Sequence, residues 1–351
     1  MAQQETRQWL LANPPLNDPV FSGSNATFKL VNATLPPLSE NQVLLRVLYL
    51  SNDPAQRGWI QKDADPARMY TPPVPINTPM RAYGVSEVVE SKVAKLPKGT
   101  LVIATTGWVE YAVLDAKECR PVQTGDGLSP TYFIGALGGP GLTAYYGLTD
   151  VVRATSDDAI VVSGAAGATG SMVVQVAKKI IGCKKVIGIA GSDEKCRWVE
   201  SLGADICVNY KSQSFKKDLM KATDGFVEVY YDNVGGEILD LMLTRLKRYG
   251  RVAACGAIAD YNKGGDPTGL KNWFEIIMNR LEIKGFIVTD AVTAGKSGDM
   301  LKVLVKNAKE GKIDIGPKSE TVIPTKFEDI PKTWMMLFEG GNQGKLVTKI
   351  V

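Results

Sequence analysis

Short apolar, β-branched runs alternate with longer stretches of helical period between about Thr131 and Gly316. Ile160–Ser163 is followed by an apolar-striped stretch over Gly170–Ile181, and Lys185–Ala190 by Asp193–Leu202. Ile206–Val208 leads to Ser214–Ala222, Phe226–Tyr231 to Gly236–Leu246, Arg251–Cys255 to Leu270–Arg280, and Leu281–Val288 to Met300–Glu310. Repeated strand–helix units of this kind predict a parallel sheet covered by helices on both faces. The pattern before Ser129 is different. Short strand-like runs at Thr27–Val31, Gln42–Leu50, Tyr83–Val89, Leu101–Ala104 and Trp108–Val113 are separated by proline turns, which predicts a mostly-β region. Arg68–Pro79 reads as an exposed loop, a candidate cover for a site. The tail predicts a strand at Thr321–Ile323, a helix at Phe327–Phe338 and a strand at Lys345–Val351. Because the first region has no closed core of its own, the tail is expected to return and complete it.

The first strand of the alternating region carries the clearest chemistry. Its end, Ser163-Gly164-Ala165-Ala166-Gly167-Ala168-Thr169-Gly170, is a turn of small residues that opens directly into a helix. Bare backbone N–H groups and a helix N-terminus then converge where a pyrophosphate can sit, although such turns also arise from packing alone. About twenty residues on, an NAD-specific fold carries an acidic residue for the ribose 2′-hydroxyl. Here the second strand ends in Ala190-Gly191-Ser192, with Asp193, Glu194 and Lys195 just past it. A small strand tip beside a cation suits a 2′-phosphate and so NADPH. Equally, Asp193 and Glu194 suit the first turn of a helix, where they complement its dipole.

Composition narrows the chemistry. With 351 residues, 44% apolar and 22% charged, the chain has the size and make-up of a two-domain globular enzyme. A net charge of +4 gives no case for nucleic-acid binding. No run approaches the roughly 20 apolar residues of a membrane span. Met1–Thr6 lacks the basic and apolar regions of a signal peptide, so cytoplasmic residence is the expectation. The cysteines (119, 183, 196, 207 and 255) number five and are scattered, which predicts reduced core thiols rather than a disulfide scaffold. Histidine is absent altogether. That removes Ser-His-Asp and Cys-His nucleophiles and any zinc site with imidazole ligands, so no metal is expected. Acid–base work must fall to tyrosine, lysine, carboxylates, serine or a cofactor.

Taken in order, Ser51-Asn52-Asp53-Pro54, Pro140–Tyr145, Gly164–Ser171, Gly191–Lys195, Asn209-Tyr210-Lys211, Tyr231–Gly236, Cys255–Ile258, Tyr261-Asn262, Phe286–Val288 and Asn342 form a full-length set of motifs. With them the chain resembles the medium-chain dehydrogenase/reductase superfamily, and within it the zinc-independent prostaglandin reductase and plant alkenal double-bond reductase family. The resemblance implies an α/β architecture. A Rossmann-type, doubly wound parallel sheet (residues 131–316) would be inserted in a mostly-β, GroES-like domain (1–130 plus 317–351). It also implies a homodimer joined through edge strands of the dinucleotide domains.

Site roles follow from the resemblance residue by residue. Ala165, Ala166, Gly167, Ala168, Thr169 and Gly170 would line the pyrophosphate. Gly191 would let the backbone approach the adenine ribose, and Lys195 and Tyr210 would meet the 2′-phosphate. By the residues alone, Tyr210 also reads as a half-buried aromatic at a strand end. Asn233 would contact the cofactor or cap the helix at Gly236. Cys255, Gly256, Ala257 and Ile258 would pack beside the nicotinamide ribose, Cys255 as a small filler rather than a nucleophile. Phe286, Ile287 and Val288 would bring main-chain groups to the carboxamide, and Thr143 and Asn342 would close the nicotinamide end. Asn52 would face the cleft from the β domain. Tyr261 would hydrogen-bond the substrate carbonyl, and Tyr83 would line the substrate pocket. Ala55 departs from the plant pattern, which has tyrosine there, so substrate choice does not carry over.

These readings converge on NADPH-dependent reduction of the C=C bond of α,β-unsaturated ketones or aldehydes, with small-molecule substrates and no nucleic-acid or membrane partner. The alternatives are a quinone or carbonyl reductase of the same superfamily, and an NADPH-binding protein without catalysis.

Overall fold

The structure is a computed structural model and describes residues 4–122, 125–264 and 266–351; Met1, Ala2 and Gln3 of the N-terminal stretch lie outside the described residues. The chain begins with β1 (Glu5–Leu11), β2 (Phe28–Thr34), β3 (Gln42–Ser51), a short helix α1 (Gln56–Trp59), β4 (Tyr83–Ser91), β5 (Leu101–Thr105), β6 (Tyr111–Asp115) and β7 (Arg120–Pro121). Helix α2 (Gly139–Tyr146) follows, then β8 (Ala159–Val162), α3 (Ala168–Gln175), β9 (Lys185–Ala190), α4 (Asp193–Ser201), β10 (Ile206–Asn209) and α5 (Phe215–Ala222). Next come β11 (Val227–Asp232), α6 (Gly236–Leu243), β12 (Leu246–Ala254), α7 (Trp273–Asn279), β13 (Glu282–Gly285), α8 (Val288–Thr293) and α9 (Ser297–Lys309). The tail forms β14 (Glu320–Thr325), α10 (Ile330–Glu339) and β15 (Lys345–Ile350).

Contacts divide the chain into two units, Met1–Ile134 with Val322–Gly341 and Leu346–Val351, and Gly135–Thr321 with Asn342–Lys345. The second unit holds a six-stranded sheet in the order β10-β9-β8-β11-β12-β13, with every pairing parallel. Its central strand β8 is buried at all four positions, as a strand covered on both faces must be. The chain reverses direction of travel across the sheet between β8 and β11, and in such sheets ligands bind outside the carboxyl ends of the strands at that switch point. This is the Rossmann-type α/β fold.

The first unit is built on antiparallel strands in the order β14-β15-β3-β4-β5-β7, with β6 also on β3. β15 pairs with β3, Val347 opposite Ser51, so the tail does return to the first region. It also supplies the core. Trp334 of α10 is fully buried and packs edge-on against Trp108, with ring centroids 5.7 Å apart, and against Phe28 at 6.0 Å. The Trp9 Nε1 donates to the Phe327 carbonyl at 2.8 Å, a second tie across the whole sequence. Trp334→Ala should therefore open a cavity that the unit cannot close, costing about 3–5 kcal/mol. Urea unfolding monitored by the remaining tryptophans checks this, and an unchanged midpoint would show that the tail is not part of the core.

Some boundaries differ from the sequence pattern. The helical stripe over Gly236–Leu246 ends at Leu243, and Leu246 instead opens β12 opposite Val227, because the apolar side of the helix runs straight into the first apolar residue of the strand. The run Leu281–Val288 is a strand only over Glu282–Gly285, and Val288 begins α8. The strand expected at Trp108–Val113 lies at Tyr111–Asp115, with Trp108 turned into the core. Helix α3 continues through Val176–Ile181 with wider, π-type turns. Arg68–Pro79 is irregular, yet Val74 within it is buried in the first unit's core.

Candidate functional site

In the second unit, β8 delivers the chain into the small-residue turn, and Gly167 caps α3 in extended conformation. Ala165 donates its N–H to the Ile189 carbonyl at 3.0 Å, tying the turn to β9. A Cβ on Gly170 would fall 2.2 Å from the Gly164 carbonyl, so only glycine lets α3 start this close to the turn. The first-turn N–H groups of Ala168, Thr169 and Gly170 have no helical acceptor and point out of the helix end. The far side of the turn is braced by a segment more than 170 residues away in sequence. Gly344 donates its N–H to the Ala166 carbonyl at 2.8 Å and bridges Gly167 in parallel. Its φ of +63° and a would-be Cβ contact of 1.9 Å with the Ser319 carbonyl make glycine obligatory there. Asn342 stands beside it, its Nδ2 donating to the Gly344 carbonyl at 2.8 Å.

The ends of β9 and β10 form a second feature. Ser192 caps α4, its hydroxyl accepting the Lys195 N–H at 3.2 Å, and Asp193 and Glu194 lie in the helix's first turn. Tyr210, exposed at the end of β10, lies over Gly191, where a Cβ would come within 3.1 Å of its ring. Lys211 follows, its ammonium 5.9 Å from the Tyr210 ring centroid. The Lys195 ammonium is pushed below its ordinary value, first by burial and then by the nearby Lys211 cation. A partly buried lysine with a second cation nearby suits a dianionic group such as a phosphate, which would relieve the strain on Lys195. Lys211 is the residue that sequence reasoning left out of the site, although it stands in the Asn209-Tyr210-Lys211 motif.

At the carboxyl ends of β11 and β12 a buried carboxylate organises the backbone. Asp232 accepts the Ser163 and Tyr230 hydroxyls at 3.0 and 2.8 Å and the N–H groups of Val234 and Gly235 at 3.0 and 2.9 Å. Burial raises its pKa, while these donors oppose the rise. In the sequence, this role shows only as an acidic residue at a strand end. Asn233 does not cap the next helix. Its Nδ2 donates to the Ser163 carbonyl at 2.8 Å, which joins β8 to β11, and Gly235 occupies the cap position.

Beyond β12, Cys255 is held by its N–H on the Asp232 carbonyl. Burial pushes its thiol up to about 12, which leaves it a protonated filler and no nucleophile at neutral pH. Gly256, Ala257 and Ile258 continue the strand end, and the chain turns back through Asp260. The Ala257 N–H donates to the Tyr261 hydroxyl at 3.2 Å, which fixes the half-buried phenol over this strand end. Lys263 and Thr268 both bind Asp260, at 2.8 and 3.0 Å, and pin the same loop. Thr143 belongs to α2. Its hydroxyl donates to the Gly139 carbonyl, and its own carbonyl accepts the Tyr231 hydroxyl at 2.9 Å. The Phe286 ring is committed to packing, edge-on to Tyr146 and Tyr231, while Ile287 caps α8 and Val288 starts it.

All these residues except two thus belong to one unit and gather around one end of its sheet. Asn52 and Tyr83 belong to the other unit. Asn52 is buried there, donating from Nδ2 to the Thr348 hydroxyl at 3.0 Å, a geometry that ties β3 to β15. Tyr83 opens β4 with its side chain exposed. The five cysteines are free, and among the described residues no group of three His, Cys, Asp or Glu is arranged to hold a metal ion.

Comparison with known proteins adds to this geometry. Residues 7–122 match the family described as the N-terminal domain of oxidoreductase, and residues 168–306 the family described as zinc-binding dehydrogenase. The chain is 36% identical to prostaglandin reductase 1 of Sus scrofa over 92% of its length and 94% of that protein's. It is 33% identical to the NADPH-dependent curcumin reductase of Escherichia coli, over 99% of this chain and 98% of the relative. Among solved structures, CurA from Vibrio vulnificus in complex with NADPH superposes with a TM-score of 0.86 at 33% identity, covering 98% of this chain and 99% of that one.

Proposed function

Because this chain belongs to the medium-chain dehydrogenase/reductase superfamily, in its prostaglandin reductase and alkenal double-bond reductase family, we propose that it reduces the C=C bond of α,β-unsaturated ketones and aldehydes with NADPH. It is an NADP-dependent oxidoreductase of C=C bonds. One observation carries the finer reading. The Tyr261 phenol is fixed by the Ala257 N–H at the end of β12, in a chain with no histidine to do proton work.

The residues present fit the dinucleotide. The α3 N-terminus would take the pyrophosphate, the strand end at Gly191 with Tyr210 closely over it would meet the adenosine ribose, and Lys195 with Lys211 would neutralise the 2′-phosphate. When bound, the cofactor supplies a hydride from nicotinamide C4. Tyr261 would donate its phenol proton as a hydrogen bond to the substrate carbonyl oxygen, where negative charge grows as the β-carbon gains the hydride. A donor aimed at that oxygen lowers the barrier to the enolate, and the Ala257 N–H on the phenol oxygen strengthens the donor. The enolate then takes a proton at its α-carbon from water or Tyr261. An enolate is stabilised by such a donor without a metal, and this chain offers no imidazole and only scattered thiols as ligands.

The test is a substrate panel with the purified protein. Enones and enals of increasing size should be turned over with NADPH, and saturated ketones should not. Turnover of quinones or saturated carbonyls without enones would replace the reading by the quinone or carbonyl reductase alternative. Binding of NADPH with no turnover of any of them would leave the non-catalytic one.

A homodimer joined through β13 is part of the proposal. β13 is an edge of the parallel sheet, and α7, which precedes it in the chain and packs on β12, exposes Trp273, Phe274, Ile277 and Met278. A monomer rarely leaves such a patch in water. Ile277→Lys should convert the dimer to a monomer in light scattering at micromolar concentration; a dimer that persists would move the interface elsewhere. No helix among the described residues is long and apolar enough to cross a membrane, and a cytoplasmic location remains part of the same reading.

A further inference from the structure

The segment that carries Tyr261 is closed by its own side chains. Asp260, Lys263 and Thr268 form a triangle of hydrogen bonds. The Lys263 Nζ donates to Asp260 Oδ1 and to the Thr268 hydroxyl, both at 2.8 Å, and that hydroxyl donates to the same Asp260 oxygen at 3.0 Å. The Thr268 N–H adds a further contact to it at 3.3 Å. Asp260 is the hub, with a side chain only 14% exposed against 47% for Lys263. Burial by itself would raise its pKa, but Lys263 and Thr268 outweigh burial and hold it below its ordinary value. The carboxylate is therefore charged at neutral pH.

Its other oxygen faces the start of a helix. α6 begins at Gly236 with φ +58°, where a Cβ would come 3.2 Å from the Ala259 Cβ and 3.9 Å from Asp260 Oδ2. A carboxylate there complements the positive end of the helix dipole. The backbone around it is tied as well. The Ala259 N–H donates to the Val234 carbonyl at 3.1 Å, and the Asp260 N–H to the Ala257 carbonyl at 2.9 Å. The residue directly before Tyr261 is thus fixed through both its side chain and its main chain. The phenol itself takes the Ala257 N–H at 3.2 Å, the long end of the range for such a bond. That contact alone is a loose hold on a half-buried ring. A small turn of the backbone at Asp260 would carry the phenol off it.

We propose that Asp260 is a positioning residue for the reduction: clasped by Lys263 and Thr268, it holds the Tyr261 phenol where the substrate carbonyl has to meet it. The assignment rests on the reading of Tyr261 as the donor to that carbonyl. Asp260 acts through Tyr261 and not on the reacting atoms.

A double-mutant cycle on a small enone tests this. Asp260→Ala should lower kcat about tenfold, because a displacement of about 1 Å at a catalytic group costs up to about 10²-fold. The KM for NADPH should stay within about twofold. In the Tyr261→Phe background the same substitution should lower kcat by less than about twofold, since no donor is left to place. Asp260→Asn keeps an oxygen for Thr268 and should recover part of the loss. A merely structural role would lower kcat by the same factor in both backgrounds, and that result would overturn the assignment. So would a kcat for Asp260→Ala within about twofold of wild type. If Asp260→Ala fails to fold, Thr268→Val keeps the carboxylate and removes one of its donors. It should lower kcat about threefold beside Tyr261 and leave it unchanged in the Tyr261→Phe background; equal effects in the two would again overturn the assignment. Failure of the wider reading looks different. In that case the wild type consumes no enone, or Tyr261→Phe alone leaves kcat unchanged, and the positioning role falls with it.

Discussion

Tyr261→Phe is expected to lower kcat for a small enone by about 10²–10³-fold, the usual consequence of removing one donor to a developing oxyanion. The ring is retained, so its packing on the strand end stays, and the Ala257 N–H can turn to water. NADPH affinity, read by quenching or fluorescence titration, should change by no more than about twofold. The split matters. A loss confined to kcat identifies a group that acts in the transition state, whereas a rise in KM at constant kcat would identify one that binds substrate uniformly. Turnover within about threefold of wild type would show that the phenol only covers the strand end.

The second large effect concerns the cofactor. Lys195→Ala should raise the KM for NADPH by about 10- to 100-fold, the range for one charge-assisted hydrogen bond to phosphate. Its constants for NADH should move by less than about twofold, because that cofactor has a hydroxyl where NADPH has the phosphate. Adding Lys211→Ala should weaken NADPH further, by less than the first change, since Lys195 and Lys211 repel one another and part of the binding energy relieves that repulsion. The salt dependence of NADPH binding should fall with each lysine removed. Equal weakening of NADPH and NADH would mean that the substitution had disturbed α4, whose cap Ser192 binds the Lys195 N–H.

Much of this arrangement was legible in the sequence because it depends on local rules. Strands β8 to β12 announce themselves as short apolar runs closed by small or polar residues, and the small-residue turn after β8 has one conformational solution beside a helix. The return of the tail could be inferred from a first region without a closed core of its own, and Trp334 packs into that core. Other features depend on contacts between distant residues. Asp232 reads as an ordinary acidic residue until Ser163 and Tyr230 are seen on its oxygen. Asn233 has the composition of a cap, yet the neighbouring strand captures its amide first. Gly344 follows the Asn342 motif in the tail, and only the fold sets it against Ala166. Leu246 and Val288 differ from the pattern because apolar residues at a helix–strand junction satisfy either period. Lys211 escaped notice because a lysine after a strand reads first as a solvated charge. Its meaning comes from Lys195 across the site.

The central claim is that hydride enters at the β-carbon of a conjugated carbonyl in a site built around Tyr261. Turnover of a simple enone with NADPH deuterated at the transferable C4 position, followed by NMR of the product, tests this directly. The account predicts a saturated ketone with deuterium on the carbon that was β to the carbonyl, and protium from water at the α-carbon. Deuterium on a carbinol carbon, with the double bond intact, would contradict it.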